Sequence, residues 1–170
     1  TDVTVTLVDE RWVPDDNDPS NARLVKEHLL ENAAAGARFL PLHRPTATPE
    51  EALPAIAATL PIPLDVAVLG MGGDGHTASF FPGGDLLAQA TDPATTTTVL
   101  PMRAPGAGEP RITLTLPVLR DAGHLYLHIE GGEKRQVLQQ ALSGQGAGAG
   151  YPIRTLMQAL RAPLQVYLAQ

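Results

Sequence analysis

A histidine follows directly behind a run of glycines in the segment GMGGDGHTASFFPG, which spans Gly70 to Gly83. Imidazole has an ordinary pKa of about 6.5, which suits general acid–base chemistry near neutral pH. His76 is therefore a candidate catalytic base, and Asp74, two residues before it, is a candidate to orient the ring. An alternative interpretation is a tight structural turn with a surface histidine. The glycines whose bare backbone a ligand could approach are Gly72, Gly73 and Gly75.

Three glycines of this segment match the dinucleotide-binding pattern G-x-G-x-x-G, directly after an apolar run: Gly70, Gly72 and Gly75. In that motif the third glycine opens a long helix, and an acidic residue follows about 20 positions later at a strand end. Here Pro82-Gly83-Gly84 ends any helix early, and the acidic candidate Asp92 lies in TDPATTTT, which is no strand end. Asp74 would also place a negative carboxylate beside the negative pyrophosphate, and the two charges would repel each other. The pattern therefore does not predict a nicotinamide or flavin site.

Charged side chains also follow the first predicted strand. Val3 to Val8 alternates valine and threonine before its last residues, and Asp9 and Arg11 come directly after it. The carboxyl ends of strands in an open α/β sheet are where ligands bind, so this pair and His76 are expected to face one crevice. The alternative for Asp9 and Arg11 is a solvated turn or a local ion pair.

A third strand end carries a lysine. Two glycines follow the predicted strand Leu125 to Ile129, and Lys134 then lies in the first turn of a helix. Free backbone N–H groups at a helix start, together with a lysine, can bind a phosphate, although the neighbouring Glu133 weakens this site. Arg111 is a lone cation before another strand, and the pattern alone assigns it no role.

Strands and helices are expected to alternate along the chain, which predicts an α/β layer sandwich with a mainly parallel sheet. Ser20 is expected to cap the first helix, and Thr48 with Glu51 forms a capping box ahead of the second. The segment Ser143 to Pro152 is rich in glycine and is expected to be a flexible loop. The other predicted strands are Leu64–Leu69, Val99–Met102, Ile112–Thr115 and Leu164–Leu168, and the predicted helices are Asn21–Asn32, Pro49–Leu60, Glu133–Leu142 and Ile153–Leu160.

Composition restricts the classes of function. The chain has 170 residues, which is enough for one domain with its own core, and we expect residues 1–170 to form a single domain. It has no cysteine, so disulfides and cysteine nucleophiles are excluded. The formal charge is -6 without a Lys/Arg run, so neither nucleic acid nor an anionic membrane is an expected partner. No histidine has metal-ligand spacing, and no metal is expected.

Four motifs, in this order, resemble the 6-phosphogluconolactonases within the wider group that includes the glucosamine-6-phosphate isomerases/deaminases. They are DERWVP with a following SN, GMGGDGHTASFFPG, PRITLT and EGGEKRQVL. The resemblance runs over nearly the whole chain. It implies a Rossmann-like three-layer fold, hydrolysis of 6-phosphoglucono-δ-lactone to 6-phosphogluconate in the pentose phosphate pathway, no cofactor and a cytoplasmic location. A monomer is expected for the full-length protein.

The resemblance also implies roles for single residues. His76 would be the base that activates water, and Asp9 and Arg11 match the acidic residue and arginine of the family's first strand end. Arg111 and Lys134 match the phosphate-binding arginine and lysine. Positive charge from Arg11 and backbone N–H groups of the glycine loop would stabilise the oxyanion. Either Asp9 or Asp74 would hold the imidazole tautomer, and the sequence does not decide between them.

The chain departs from the family pattern at its start and differs from one branch at Phe81. Family members carry a strand and a Gly-Gly-Ser-Thr-type phosphate loop ahead of the first matched motif, and this sequence lacks both. We therefore expect weak phosphate binding by this chain alone. Isomerases/deaminases carry an acidic residue five positions after the histidine, where this chain has Phe81. The remaining alternatives are an amino-sugar-phosphate isomerase/deaminase and a non-catalytic sugar-phosphate-binding remnant.

Overall fold

The computed structural model describes residues 3–169. Its strands are β1 (Thr4–Thr6), β2 (Asp9–Arg11), β3 (Arg38–Leu40), β4 (Val66–Leu69), β5 (Val99–Met102), β6 (Arg111–Leu114), β7 (His124–Glu130) and β8 (Gln165–Ala169). Its α-helices are α1 (Asn21–His28), α2 (Pro49–Ala57), α3 (Leu87–Ala90), α4 (Leu116–Arg120), α5 (Gly132–Ser143) and α6 (Pro152–Ala159). Short 3₁₀ helices span Asn32–Ala34 and Gly146–Gly150.

The strands pair in three groups within residues 3–169. Strand β1 pairs with β3, and β4, β7 and β8 pair in that order; all of these pairings are parallel. Strands β2, β6 and β5 form an antiparallel sheet in that order. The predicted α/β fold with mainly parallel pairing is confirmed, but the antiparallel sheet was not predicted. Its strand β2 consists of residues that the sequence pattern placed after the end of a longer first strand.

Strand β4 is apolar throughout its sequence but is buried on one face only. Ala67 and Leu69 lie in the core, with 4% and 1% of their surface exposed. Val66 and Val68 point to the other face and are 54% and 58% exposed. Alternation along a strand places neighbouring side chains on opposite faces, and the described residues cover only one of the two.

Helix α1 begins where the sequence predicts and ends earlier. The Ser20 hydroxyl accepts a hydrogen bond from the Arg23 N–H at 3.2 Å, which is the predicted N-cap. The helix ends at His28 rather than Asn32, and Leu29, directly after its end, is 51% exposed. Pro54 lies inside helix α2, which ends at Ala57 rather than continuing to Leu60.

The glycine-rich segment after α5 is ordered into the 3₁₀ helix Gly146–Gly150, which corrects the expectation of a flexible loop. Gly148 packs so closely on α5 that a Cβ there would lie 2.1 Å from the Gln140 carbonyl oxygen. The small residues allow this close approach, so low complexity here reflects packing and not an absence of structure.

None of the helices described in residues 3–169 is long and apolar enough to cross a membrane.

Candidate active site

The loop after β4 is closed by its own backbone. The Gly72 N–H donates to the His76 carbonyl at 2.9 Å, and the Gly75 N–H donates to the Gly72 carbonyl at 3.1 Å. Gly75 has φ +74°, a left-handed conformation that glycine adopts without a steric penalty. Its carbonyl accepts from the Ile153 N–H at 3.0 Å, which ties the loop to the start of α6. The segment is therefore a fixed turn that presents His76 at the end of β4.

His76 is held against the loop by Asp74. The His76 ring Nδ1 lies 2.6 Å from Asp74 Oδ1, and the same oxygen accepts from the His76 backbone N–H at 3.1 Å. Partial burial acts to raise the pKa of Asp74, but the two hydrogen bonds and the charge of His76 outweigh it and lower that pKa below its usual range. With Nδ1 engaged by a carboxylate, Nε2 is the ring nitrogen left to accept a proton. The geometry thus joins His76 to Asp74 rather than to Asp9.

Gly72 makes room for this pair. A Cβ at Gly72 would lie 2.2 Å from His76 Cε1 and 2.8 Å from Asp74 Oδ1. No larger side chain fits without moving the imidazole. The glycine is therefore needed for close approach of the ring, a requirement different from the ligand contact that the sequence suggested.

Phe81 lies between the histidine and an arginine. Its ring centroid is 4.3 Å from that of His76, and the Arg111 guanidinium carbon lies 5.2 Å from the same ring centroid. Phe81 is only 2% exposed. This position is therefore an apolar wall beside the imidazole.

Asp9 contacts two buried polar residues, Ser79 of the loop and Arg111 of β6. Its Oδ2 accepts from the Ser79 hydroxyl at 2.6 Å and lies 3.9 Å from Arg111 Nη1. Burial raises the pKa of the Asp9 carboxyl, against the opposing effects of the Ser79 hydrogen bond and the charges of Arg111, Arg11 and His76. The structure thus brings Asp9 and Arg111 together, although 102 positions separate them in the numbering.

The two arginines of this site are neighbours across the antiparallel sheet. Arg11 pairs with Arg111 in the register of β2 and β6. Burial and the charge of Arg11 lower the pKa of Arg111, whose Nε and Nη2 both donate to the Ala107 carbonyl at 3.2 and 2.9 Å. Arg11 Nη1 donates to the Pro19 carbonyl at 2.8 Å and to Asn21 Oδ1 at 2.9 Å. Both guanidinium groups are thus anchored by main-chain carbonyls.

Glu10, between Asp9 and Arg11, organises the start of α1. Its buried carboxylate accepts from the backbone N–H groups of Asn21 and Ala22 at 2.8 and 2.7 Å, and from the Ser20 hydroxyl at 3.1 Å. The Glu10 carboxylate thus accepts from N–H groups that have no partner within the first turn of the helix. Glu10 therefore fixes the helix whose Asn21 side chain holds Arg11.

Lys134 lies on a different element from these groups. It lies half-buried in the first turn of α5, and within residues 3–169 it makes no hydrogen bond or ion pair with the other predicted site residues. The same described range contains no cluster of three His, Cys, Asp or Glu side chains suited to a metal ion.

A surface cavity of about 500 Å³ lies elsewhere, on the exposed face of the β4–β7–β8 sheet. Its lining is mainly apolar and contains one imidazole, that of His128, whose Nε2 lies 3.7 Å from Glu130 Oε1, beyond hydrogen-bond distance. The lining residues are Val68, Tyr126, His128, Tyr167, Leu168 and Ala169.

The site also contains two residues that the sequence pattern did not predict, Ser79 and Tyr151. Ser79 follows His76 by three residues in the quoted motif, so its proximity to the base was available as a signal. Its contact with Asp9 spans 70 residues, and no local pattern predicts it. Tyr151 packs on the glycine loop, where a Cβ at Gly75 would lie 2.5 Å from the Tyr151 ring.

Comparison with known proteins places this chain in a family of enzymes that act on sugar phosphates. Residues 1–163 match the family model described as glucosamine-6-phosphate isomerases/6-phosphogluconolactonase. A 6-phosphogluconolactonase of Rhizobium meliloti is 56% identical over 171 residues, covering 98% of this chain and 73% of that protein. One from Mesorhizobium japonicum is 50% identical, covering 98% and 70%. The chain belongs to this family.

The solved structures agree with the sequence relatives. The crystal structure of a 6-phosphogluconolactonase from Shewanella baltica matches with a TM-score of 0.90 and 38% sequence identity, covering 99% of this chain and 72% of that one. The expected Rossmann-like α/β fold and the expected family are thereby confirmed.

Proposed function

We propose that the chain hydrolyses 6-phosphoglucono-δ-lactone to 6-phosphogluconate, with His76 activating the water. The observation that carries the residue assignment is the 2.6 Å contact of His76 Nδ1 with Asp74, on a fixed loop beside Asp9 and two arginines. The relatives' name supplies the reaction: lactone hydrolysis in the pentose phosphate pathway. We propose that residues 1–170 act as one domain, and that the full-length protein is a cytoplasmic monomer.

In this mechanism His76 Nε2 removes a proton from water as the water oxygen bonds to the C1 carbonyl carbon. A base of this kind contributes about 10²–10⁴-fold to the rate. Asp74 keeps Nδ1 protonated and stabilises the imidazolium that forms. When the tetrahedral intermediate collapses, the bond from C1 to the ring oxygen breaks, and the imidazolium returns its proton to that oxygen. No cofactor takes part in these steps.

The oxyanion needs donors or positive charge near the C1 oxygen. Gly72 and Gly75 use their N–H groups inside the loop, which leaves the N–H groups of Gly73 and Asp74 as the candidate donors from this segment. Arg11 is the candidate cation. This narrows the expectation that the whole glycine loop donates to the substrate.

We propose that Lys134 and the exposed edge of Arg111 bind the 6-phosphate and so orient the ring over His76. Orientation by a group distant from the reacting carbon contributes to the rate because it fixes the attack geometry. Arg111 is only 7% exposed and lies near Asp9, so it also balances that carboxylate.

An amino-sugar-phosphate isomerase/deaminase must move protons between substrate carbons and the ring oxygen. The buried Phe81 ring, 4.3 Å from the imidazole, cannot carry a proton. This observation favours the lactonase over the isomerase. A non-catalytic sugar-phosphate-binding protein would keep the phosphate contacts and show no turnover.

The test is to follow loss of 6-phosphoglucono-δ-lactone against its spontaneous hydrolysis, with the unsubstituted chain and with His76→Ala. We expect lactonase activity that His76→Ala lowers by about 10²-fold or more, with the circular dichroism spectrum unchanged. Near-normal kcat in His76→Ala would show that another group activates the water. Binding without turnover by the unsubstituted chain would support the non-catalytic alternative.

A further inference from the structure

Ser79 is a buried polar residue with a specific long-range contact. It is 0% exposed, and its hydroxyl donates to Asp9 Oδ2 at 2.6 Å. This hydrogen bond joins the loop that carries His76 to strand β2, which carries Arg11. A hydroxyl removed from water stabilises the fold only if it is paired; here its partner is a carboxylate of the proposed site.

The backbone around Ser79 is also held in place. The Ser79 N–H donates to Thr113 Oγ1 at 3.3 Å, and Thr113 is the residue paired with Asp9 across the antiparallel sheet. Ala78 has φ +47°, a left-handed conformation that costs energy for a residue with a Cβ. The chain turns at Ala78, so that the His76 side chain before it is partly exposed and the Ser79 side chain after it is buried. Such a conformation persists when contacts on either side of it fix the chain.

We infer that Ser79 is a positioning residue: its hydroxyl fixes the carboxylate of Asp9 beside Arg111 and couples strand β2 to the loop of His76. The effect on turnover rests on the proposed lactonase function. The effect on Asp9 does not.

The charges around Asp9 explain what the hydroxyl does. Arg111 on β6, Arg11 on β2 itself and His76 on the loop are the charged or titratable groups that act on the Asp9 carboxyl. All three favour its ionised form, as does the Ser79 hydrogen bond, whereas burial favours the neutral acid. Removal of the hydroxyl therefore shifts Asp9 towards the protonated form. A neutral Asp9 neither balances Arg111 nor stabilises the imidazolium of His76.

The direct test is a ¹³C NMR titration of the Asp9 carboxyl carbon in the unsubstituted chain and in Ser79→Ala. We expect the pKa of Asp9 to rise by about one to two units in Ser79→Ala, because a hydrogen bond to a charged acceptor is lost. Thr115→Ala is the matched control: its hydroxyl is equally buried but donates to the Thr97 carbonyl. An unchanged Asp9 pKa in Ser79→Ala would overturn the inference. If Ser79→Ala does not fold, Ser79→Cys, which keeps the shape with a weaker donor, is titrated instead with the same expected direction.

The kinetic test separates positioning from folding. In Ser79→Ala we expect kcat to fall about tenfold with little change in KM. Ser79→Cys should recover part of the rate, and Thr115→Ala should keep the full rate. In an Asp9→Asn background, Ser79→Ala should have almost no further effect on kcat, since both substitutions act through one carboxylate.

Two outcomes in these measurements would contradict the inference. Additive losses of kcat in the double variant would show that Ser79 acts independently of Asp9. Equal losses in Ser79→Ala and Thr115→Ala would indicate a general packing effect. Absence of lactonase activity in the unsubstituted chain would contradict the proposed function alone, and the NMR titration would still decide the role of Ser79.

Discussion

The charged residues of the candidate site form two pairs and one further cation. His76 with Asp74 forms the proton-accepting pair, with a carboxylate on one ring nitrogen. Asp9 with Arg111 forms a buried pair behind it, at 3.9 Å. Arg11 lies beside the second pair, anchored by the start of α1. This division separates the residues expected to alter chemistry from those expected to alter charge balance.

Lys134→Ala is predicted to weaken only the use of phosphorylated substrate. A charge-assisted contact contributes about 1.5–3 kcal/mol, so kcat/KM for 6-phosphogluconolactone should fall roughly 10- to 100-fold. Activity on unphosphorylated gluconolactone should hardly change, since it lacks the group that Lys134 contacts. The measurement is kcat/KM on both lactones, with the exposed neighbour Arg135→Ala as the matched control.

Arg111→Ala in the same assay should lower activity on both lactones. Its guanidinium lies near Asp9 as well as near the proposed phosphate, so its removal leaves a buried carboxylate without its neighbouring cation.

Equal losses on both substrates for Lys134→Ala would contradict a phosphate-specific role for the lysine.

The glycine loop determines where the imidazole lies, because its turn is closed by internal hydrogen bonds and packed on its neighbours. Contacts at Gly72 and Gly75 come from His76 and Tyr151 respectively. Gly70, at the start of the same loop, has open space where a Cβ would be. Alanine substitutions at Gly72 and Gly70 can therefore be compared within one loop, since only the first would meet the imidazole.

Gly72→Ala is predicted to lower kcat by about 10²-fold, because a Cβ 2.2 Å from His76 Cε1 must displace the ring and misplacement of about 1 Å has this cost. Gly70→Ala, its control, should retain near-normal kcat. Steady-state kinetics and a crystal structure of each variant check the prediction. Normal turnover by Gly72→Ala would show that the observed imidazole position is not the reactive one.

The exposed side of the β4–β7–β8 sheet is a property of the chain as a whole. Val66, Val68 and Tyr167 are 54%, 58% and 59% exposed on these strands, and Tyr126 packs its ring edge-on against Tyr167 at 5.8 Å. Contiguous apolar surface of this kind binds apolar ligands or other proteins. It is separate from the residues of the candidate active site.

The 170-residue chain is predicted to bind a hydrophobic dye such as anilinonaphthalene sulfonate while folded. Val66→Thr combined with Val68→Thr should lower the fluorescence at least twofold, since these substitutions remove apolar surface from an exposed strand face. Leu24→Thr, at a 58% exposed position on α1, is the control and should change it little. Dye binding that is absent, or unchanged in the double variant, would show that this face is covered in solution.

The α/β class, most strand and helix positions, and the candidates His76 and Asp74 could be predicted from the sequence, because they depend on local periodicity, caps and a motif within a few residues. The sequence did not determine that Asp9 to Arg11 form a separate antiparallel strand, nor that the glycine-rich segment before α6 is a packed 3₁₀ helix. Those outcomes depend on partners distant in the chain, such as Arg111 opposite Arg11 and Gln140 against Gly148.

The choice between Asp74 and Asp9 as the partner of His76 was likewise open in the sequence, since both carboxylates were expected at the same sheet edge. The tertiary structure decided it through distance: Asp74 reaches the ring from within the loop, whereas Ser79 and Arg111 hold Asp9. Side-chain hydrogen bonds act over about 3 Å. A pattern that places residues only at strand ends cannot distinguish partners at that range.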